Sequence, residues 1–253
     1  MDLQLLDKRV VVTGGGSGIG LAIAEQFAEE GAVVGICGRT RSTLDTALKR
    51  LAGYGGTAVA HVVDIADATA IGPWLETAAH ELGGLDIVIH NASGASGVGE
   101  EAWRRNIDID VLGFSRLVEH ATPHLARSSA ASIVALSSTA AVEAFGNPAA
   151  PFGAMKAALI HQCAGLSKTL AAQGIRVNAV SPGPIFFEGG AWDEVRSTRP
   201  EYYEGVVAQI PRGQMGTAEE VAHVVAFIAS PAAALLTGTN IVADGGLTKR
   251  IPI

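Results

Sequence analysis

The chain has 253 residues, 48% hydrophobic and 17% charged, which excludes a disordered polypeptide and suffices for a sizeable core. Lys plus Arg number 18 against 25 for Asp plus Glu, a formal charge of −7 that argues against a nucleic-acid binder working by phosphate neutralisation. Two cysteines, Cys37 and Cys163, make neither a disulfide framework nor a zinc site, so no metal is expected.

From the N-terminus, Met1-Asp2-Leu3-Gln4 opens without a basic region or a long apolar run, and no stretch of about 18 uninterrupted apolar residues occurs after it. A cytoplasmic protein without membrane or nucleic-acid partners is the expectation. Short apolar, β-branched runs predict strands at Arg9–Thr13, Ala32–Cys37, Ala58–Val63, Leu85–His90, Ser132–Ser137, Arg176–Ser181 and Asn240–Ala243. Helical patterns lie between them near 19–30, 41–52, 67–82, 100–126, 149–172 and 217–229. Continuous apolar strands alternating with helices predict an α/β domain with a parallel sheet covered on both faces. Segment 183–216 has no clear period, holds Pro184, Gly189, Gly190, Pro200 and Pro211, and carries Phe186, Phe187, Trp192, Tyr202 and Tyr203. A loop of that length predicts a lid, its aromatic residues either lining a substrate pocket or packing in a core or interface.

Directly after the first predicted strand comes Thr13-Gly14-Gly15-Gly16-Ser17-Gly18-Ile19-Gly20, then a helix. Glycines let the backbone turn sharply and approach a pyrophosphate, and the helix start offers free N–H groups, so Gly14, Ser17, Gly18, Ile19 and Gly20 are candidate phosphate contacts. The second predicted strand ends in Ile36-Cys37-Gly38-Arg39-Thr40-Arg41, with no carboxylate for ribose hydroxyls. Arg39 and Thr40 sit where a 2′-phosphate would lie, which favours NADP(H) and leaves NAD(H) possible. The alternative is that Arg39 and Arg41 form a solvated helix start, a stronger competitor at Arg41.

Seven cues in order make the chain resemble the short-chain dehydrogenase/reductase family, in particular its 3-oxoacyl-carrier-protein-reductase-like branch, over essentially its whole length. They are Thr13 to Gly20, Asp64-Ile65, Asn91-Ala92-Ser93-Gly94, Ser137-Ser138, Lys156, Arg176 to Gly183, and Thr237-Gly238 to Asp244-Gly245-Gly246. The resemblance implies a single-domain, three-layer Rossmann-type fold with strand order 3-2-1-4-5-6-7, a nicotinamide cofactor, and a homotetramer or homodimer. It implies Asp64 on the adenine amino group, Ile65 beside the adenine, Asn91 and Ala92 along the cofactor, Pro182, Gly183 and Ile185 at its nicotinamide end, and Asn178 in a structural role.

Family members reduce a carbonyl or oxidise an alcohol, with a Tyr four residues before a Lys moving the proton and a Ser holding the same oxygen. Here the motif reads Phe152-Gly153-Ala154-Met155-Lys156. A phenyl ring has no O–H and cannot serve as acid or base. Either the change was introduced into an active enzyme, or this is a natural member that lost or rerouted proton transfer. By count Ser137, Ser138 and Thr139 can each be the serine-type residue; the pattern favours Ser138. Asp110, three residues before Gly113, stands where the family often has an Asn that anchors a water to the Lys; it either holds that water, pairs with Lys156, or only satisfies buried backbone groups. Asn106 has the wrong spacing to Gly113. Ser138, Glu143, Phe186 and Trp192 are candidate substrate contacts, while His90 and His161 read as strand-end and helix residues. The expected activity is NADP(H)-dependent reduction of a ketone, or oxidation of a secondary alcohol, impaired by Phe152. A silent NADP(H)-binding protein and a Tyr-independent enoyl reductase are the alternatives.

Overall fold

The computed structural model describes residues 1–145 and 150–249. Seven parallel strands form one sheet: β1 (Arg9–Thr13), β2 (Val33–Gly38), β3 (Ala58–Val62), β4 (Ile87–His90), β5 (Ser132–Leu136), β6 (Arg176–Pro182) and, at the far edge, β9 (Asn240–Ala243). Their order is β3-β2-β1-β4-β5-β6-β9, the expected winding, because two extra strands, β7 (Ile185–Phe186) and β8 (Gly216–Thr217), pair only with each other.

Alternation along each strand splits the core in two. Val10 and Val12 of β1 face α1 (Gly18–Glu29), α2 (Arg41–Leu51) and α9 (Ala218–Ala229). Val11 faces the other layer, built from α3 (Ile71–Leu82), α5 (Gly113–Leu125) and α6 (Pro151–Leu170). Both layers are dry, which is why the strands read as unbroken apolar runs. The register Val11↔Gly35 and Val12↔Ile89 aligns the carboxyl ends of β1, β2 and β4, and the crevice above those ends is where such sheets bind ligands.

The helix expected near 100–126 has three parts: α4 (Gly99–Asn106), a π-helical stretch Ile107–Leu112, and α5. A π turn inserts one extra residue and rotates the helix beyond it, and here it carries Asp110 to full burial. Segment 183–216, expected as an irregular lid, contains two helices, α7 (Ala191–Thr198) and α8 (Pro200–Val207). Pro200 opens α8 at a position where its missing N–H costs nothing. The β7–β8 pair closes the base of the segment, with Ile185 beside Gly216. At the amino end of β6, Arg176 donates to the carbonyls of Ile228, Ala229 and Ser230, which caps α9 and fixes β6 against it. Among the described residues no helix is long and apolar enough to cross a membrane.

Candidate active site

A cleft of about 510 Å³ opens above the carboxyl ends of β1, β2 and β4. Gly14, Ser17, Gly18, Ile19 and Gly20 line its floor, Arg39, Thr40, Asp64 and Ile65 one end, and Asn91 and Ala92 the other. The floor is built from glycines because nothing larger fits. Gly14 has φ +66°, and a Cβ there would lie 2.9 Å from Asn91 Nδ2; a Cβ on Gly20 would run into the Gly14 carbonyl oxygen. Asn91 braces the turn by donating to the carbonyls of Thr13 and Gly14, and the Asn91 and Ala92 N–H groups both donate to Thr13 Oγ1.

Ser17 caps α1 without a side-chain bond, and no acidic residue stands in the first turn. The helix start therefore presents free N–H groups and its positive dipole end to the cleft. Arg39 is exposed and makes no ion pair or hydrogen bond among the described residues, whereas Arg41 is paired with Asp45 at 2.9 Å, one turn on in α2. The two arginines thus separate: Arg41 is a helix-surface residue and Arg39 is a free cation at the rim. Asp64 accepts the Ala66 N–H through one oxygen. A cradle that excludes Cβ atoms, a run of unbonded N–H donors and a free guanidinium together fit a dinucleotide.

The reactive groups gather beyond the carboxyl end of β5. Ser137 is buried and its hydroxyl donates to the Lys156 carbonyl at 2.9 Å, so it is structural. Thr139 is also buried. Ser138 is half-buried; its Oγ accepts the Ala140 N–H at 3.2 Å, which leaves the hydroxyl proton free to donate. A Cβ on Gly153 would lie 2.5 Å from the Ala140 carbonyl oxygen, and that close approach seats the start of α6 against the Ser138 turn. Lys156 Nζ lies 5.7 Å from the centre of the Phe152 ring.

Lys156 is buried, donates to the Leu136 carbonyl at 2.7 Å, and lies 2.8 Å from Asp110 Oδ1. The latter contact is an ion pair without hydrogen-bond alignment. Asp110 Oδ2 accepts the Gly94 N–H at 2.8 Å, so this carboxylate serves both the lysine and the loop after β4. Arg105 donates to the carbonyls of Gly94 and Ser96, and Asn106 to that of Ala95, whose φ is +60°. Three side chains from α4 and the π stretch thus hold a strained loop at the cleft. Burial, reinforced by the Lys156 charge, pushes the His90 imidazole down to about 3, so it stays neutral and is no general acid. Burial pushes the Cys37 and Cys163 thiols up to about 12, so neither is a thiolate. Among the described residues no group of three His, Cys, Asp or Glu can hold a metal ion.

A family model described as enoyl-(acyl carrier protein) reductase matches residues 14–248. Isoepoxydon dehydrogenase of Aspergillus clavatus is 41% identical over 248 residues, 96% of each chain. The chain belongs to the short-chain dehydrogenase/reductase family. Within it, cis-4-hydroxycyclohexanecarboxylate dehydrogenase of Sinomonas cyclohexanicum is 34% identical, covering 96% of this chain and 97% of its own. The structure of L-sorbose reductase from Gluconobacter frateurii, complexed with NADPH and L-sorbose, superposes with a TM-score of 0.90 at 27% identity, over 99% of this chain and 100% of that one.

The remaining expected site residues stand mostly at the end of β6 and in the segment after it. Pro182 pairs with Ala243 at the end of β6, and the Gly183 N–H donates to the Ala243 carbonyl. Ile185 is buried in the core and lines a second cavity of about 360 Å³ with Arg212, Glu220 and Val242, not the dinucleotide cleft; its pairing with Gly216 turns it there. Glu143 accepts the Lys249 N–H at 3.0 Å, which spends one carboxylate oxygen on the C-terminal segment. Phe186 and Trp192 pack with Tyr203, Val206 and Val207 on Ile210, Met215 and Leu247, a small core built around segment 183–216. The lid aromatic that does reach the cleft is Phe187, over Gly18. The sequence offers no signal that separates Phe187 from Phe186, since both are Phe in an aperiodic stretch. Asn178 bonds the Leu236 carbonyl and the Thr239 N–H and is structural.

Proposed function

We propose that this chain is an NADP(H)-dependent oxidoreductase that interconverts a ketone and a secondary alcohol, and that Phe152 slows the reaction. The observation that carries the reading is the alignment of two half-sites along one sheet edge: the glycine cradle with its free Arg39, and the buried Lys156 with the open hydroxyl of Ser138. A bound nicotinamide supplies or accepts the hydride. Ser138 donates its hydroxyl proton in a hydrogen bond to the substrate oxygen and fixes its direction. Lys156, held by Asp110 and the Leu136 carbonyl, places a positive charge beneath that oxygen as negative charge develops on it. The ring at 152 gives no proton, so the proton has to come from water.

The names of two relatives support a secondary alcohol or ketone as substrate, one a hydroxycyclohexanecarboxylate dehydrogenase, the other a reductase of the ketose L-sorbose. The NADPH in the latter structure supports the phosphorylated cofactor, as does Arg39. A small-molecule substrate, a soluble setting in the cytoplasm and assembly as a homotetramer or homodimer complete the reading. A second reading, reduction of a conjugated alkene without a tyrosine, is favoured by the loss of the phenol alone in an otherwise complete site. One experiment separates them. NADPH and NADH are titrated by calorimetry, and a panel of cyclic ketones and enones is then assayed with this chain and with Phe152→Tyr. Ketone reduction that rises sharply in the variant supports the first reading; enone reduction equal in both supports the second; no NADPH binding defeats both.

A further inference from the structure

Reduction of a ketone needs a hydride on carbon and a proton on oxygen, and around Lys156 the proton is scarce. Phe152 has no O–H. Ser137 spends its hydroxyl on the Lys156 carbonyl, and Ser138 keeps a hydroxyl that can hold an oxygen but is a poor acid. His90, pushed down to about 3 by burial and the Lys156 charge, has no proton to give. Charge at this end of the sheet is also set against an oxyanion. The buried Lys156 ammonium is met at 2.8 Å by the fully buried Asp110, so the pair sums to zero. Two more carboxylates stand beyond the carboxyl ends of β5 and β9. Glu143 closes the turn that begins at Ser138, its N–H donating to the Thr139 carbonyl and its carboxylate accepting the Lys249 N–H. Asp244 accepts the Gly246 and Thr248 N–H groups and the Thr248 hydroxyl. Burial would raise Asp244, but these hydrogen bonds hold it below its ordinary range, so it is ionised at neutral pH. Neither carboxylate is in an ion pair among the described residues; Arg212, bonded to the Gly245 carbonyl, is spent on Glu220 at 2.7 Å, and Lys249 is exposed. Asp110, Glu143 and Asp244 thus outnumber Lys156 and Lys249 by one charge. The half-buried Phe152 ring adds a π face of the kind that attracts cations, with Lys156 Nζ already 5.7 Å from its centre.

We propose that this chain, with Phe152 in place, reduces iminium ions, positively charged C=N compounds, and that Asp110, Glu143 and Asp244 make the reacting end accept a cation. An iminium carbon takes a hydride without a proton. The hydride pair forms the new C–H bond, the C=N π pair becomes the nitrogen lone pair, NADPH is oxidised to NADP+, and no proton enters or leaves. The missing phenol is then no handicap, and a lysine balanced by Asp110 does not repel the substrate. The proposal goes beyond the ketone reading but rests on its cofactor, NADPH in the glycine cradle.

Binding is read first, without turnover. The chain saturated with NADPH is titrated by calorimetry with N-methyl-tetrahydroisoquinoline, which is protonated at neutral pH and cannot accept a hydride, and with tetralol, a neutral bicycle of similar size. The cation should bind at least about tenfold more tightly. Asp110→Asn keeps an acceptor for the Gly94 N–H and Glu143→Gln keeps one for the Lys249 N–H, but each removes a negative charge. Each should therefore weaken the cation about tenfold relative to tetralol. The half-buried Glu143 carries this comparison if the buried Asp110→Asn variant does not fold. NADPH oxidation is then followed with the N-methyl-dihydroisoquinolinium ion and with tetralone. After subtraction of the uncatalysed rate, this chain should turn over the ion at least about 100-fold faster than the ketone, with no loss of rate in heavy water. Cation and tetralol bound equally, cation binding unmoved in both variants, or no catalysed oxidation of NADPH by the iminium ion overturns the proposal and leaves the cofactor and ketone readings standing. Failure of the chain to bind NADPH overturns the cofactor reading, and this proposal with it.

Discussion

On the proposed mechanism, replacing Phe152 by Tyr supplies a proton donor near Ser138 and Lys156, and the charges around it set the size and pH dependence of the effect. Lys156 Nζ is 5.7 Å from the ring centre and 2.8 Å from Asp110 Oδ1. With the new hydroxyl about 5 Å from the ammonium and an effective dielectric near 20, attraction for a phenolate is roughly 3 kcal/mol. The carboxylate, at most about 8 Å away, opposes it with at least roughly 2 kcal/mol, so at most about 1 kcal/mol survives. His90 adds no charge, since burial keeps it neutral, and Ser137 and Ser138 carry none. The phenol therefore stays protonated through neutral pH and acts as an acid in the reduction direction. Turnover of a ketone should rise by about 10²–10⁴-fold in Phe152→Tyr, with cofactor affinity barely changed. Adding Asp110→Asn removes the opposing charge, while the amide oxygen still accepts the Gly94 N–H. The alkaline limb of the reduction profile should then move about 1.5 pH units toward neutrality. Steady-state rates from about pH 6 to 10 on the single and double variants check both parts. Equal turnover at 152 refutes the role of that position; an unmoved alkaline limb refutes the charge argument.

Arg39→Ala removes a guanidinium that has no internal partner among the described residues, so no ion pair breaks with it. NADPH should bind about 10–100-fold more weakly, the worth of a charged hydrogen bond, while NADH is unaffected; titration of both cofactors decides. Asp110→Ala strands Lys156 in the interior and orphans the Gly94 N–H, and should cost about 3–5 kcal/mol in urea unfolding. A loss below about 1 kcal/mol would mean that water reaches the lysine. At the amino end of the sheet, burial would raise Asp86, but hydrogen bonds from Arg9 and Ser128 outweigh it and hold the carboxyl below its ordinary range. A depressed folded value stabilises above the unfolded aspartate range, near about pH 4, and that contribution is lost as pH falls through the folded value. The stability gap between this chain and Asp86→Asn should therefore be full at about pH 7 and shrink in acid; a gap constant down to about pH 3 refutes it.

What the sequence made legible and what it hid divide along one physical line. Val10-Val11-Val12 and the glycines of the phosphate turn carry their meaning locally, through an unbroken apolar run and the absence of side chains, so the strands and the cradle could be read directly, while the sheet order followed from the family resemblance. The choice among Ser137, Ser138 and Thr139 could not, because it depends on the carbonyl of Lys156, 19 residues from Ser137, taking one hydroxyl out of use. Asp110 was open for the same reason. Its alternatives, lysine partner or backbone acceptor, turn out not to compete, since each oxygen does one of them, and only the π turn that buries both explains how. The lid shows the limit most plainly. Five aromatic residues within 186–203 look alike as candidates for a substrate wall, yet Phe186, Trp192 and Tyr203 are needed to give two short helices a core of their own. Helices of 8 residues are marginal alone, so a lid of this kind has to spend its aromatics inward before it can offer any to a ligand. Phe187, outside that small core, lines the cleft beside Gly18 instead. The proposed substrate site is then bounded by Ser138, by the loop held by Arg105 and Asn106, and by what segment 183–216 leaves open.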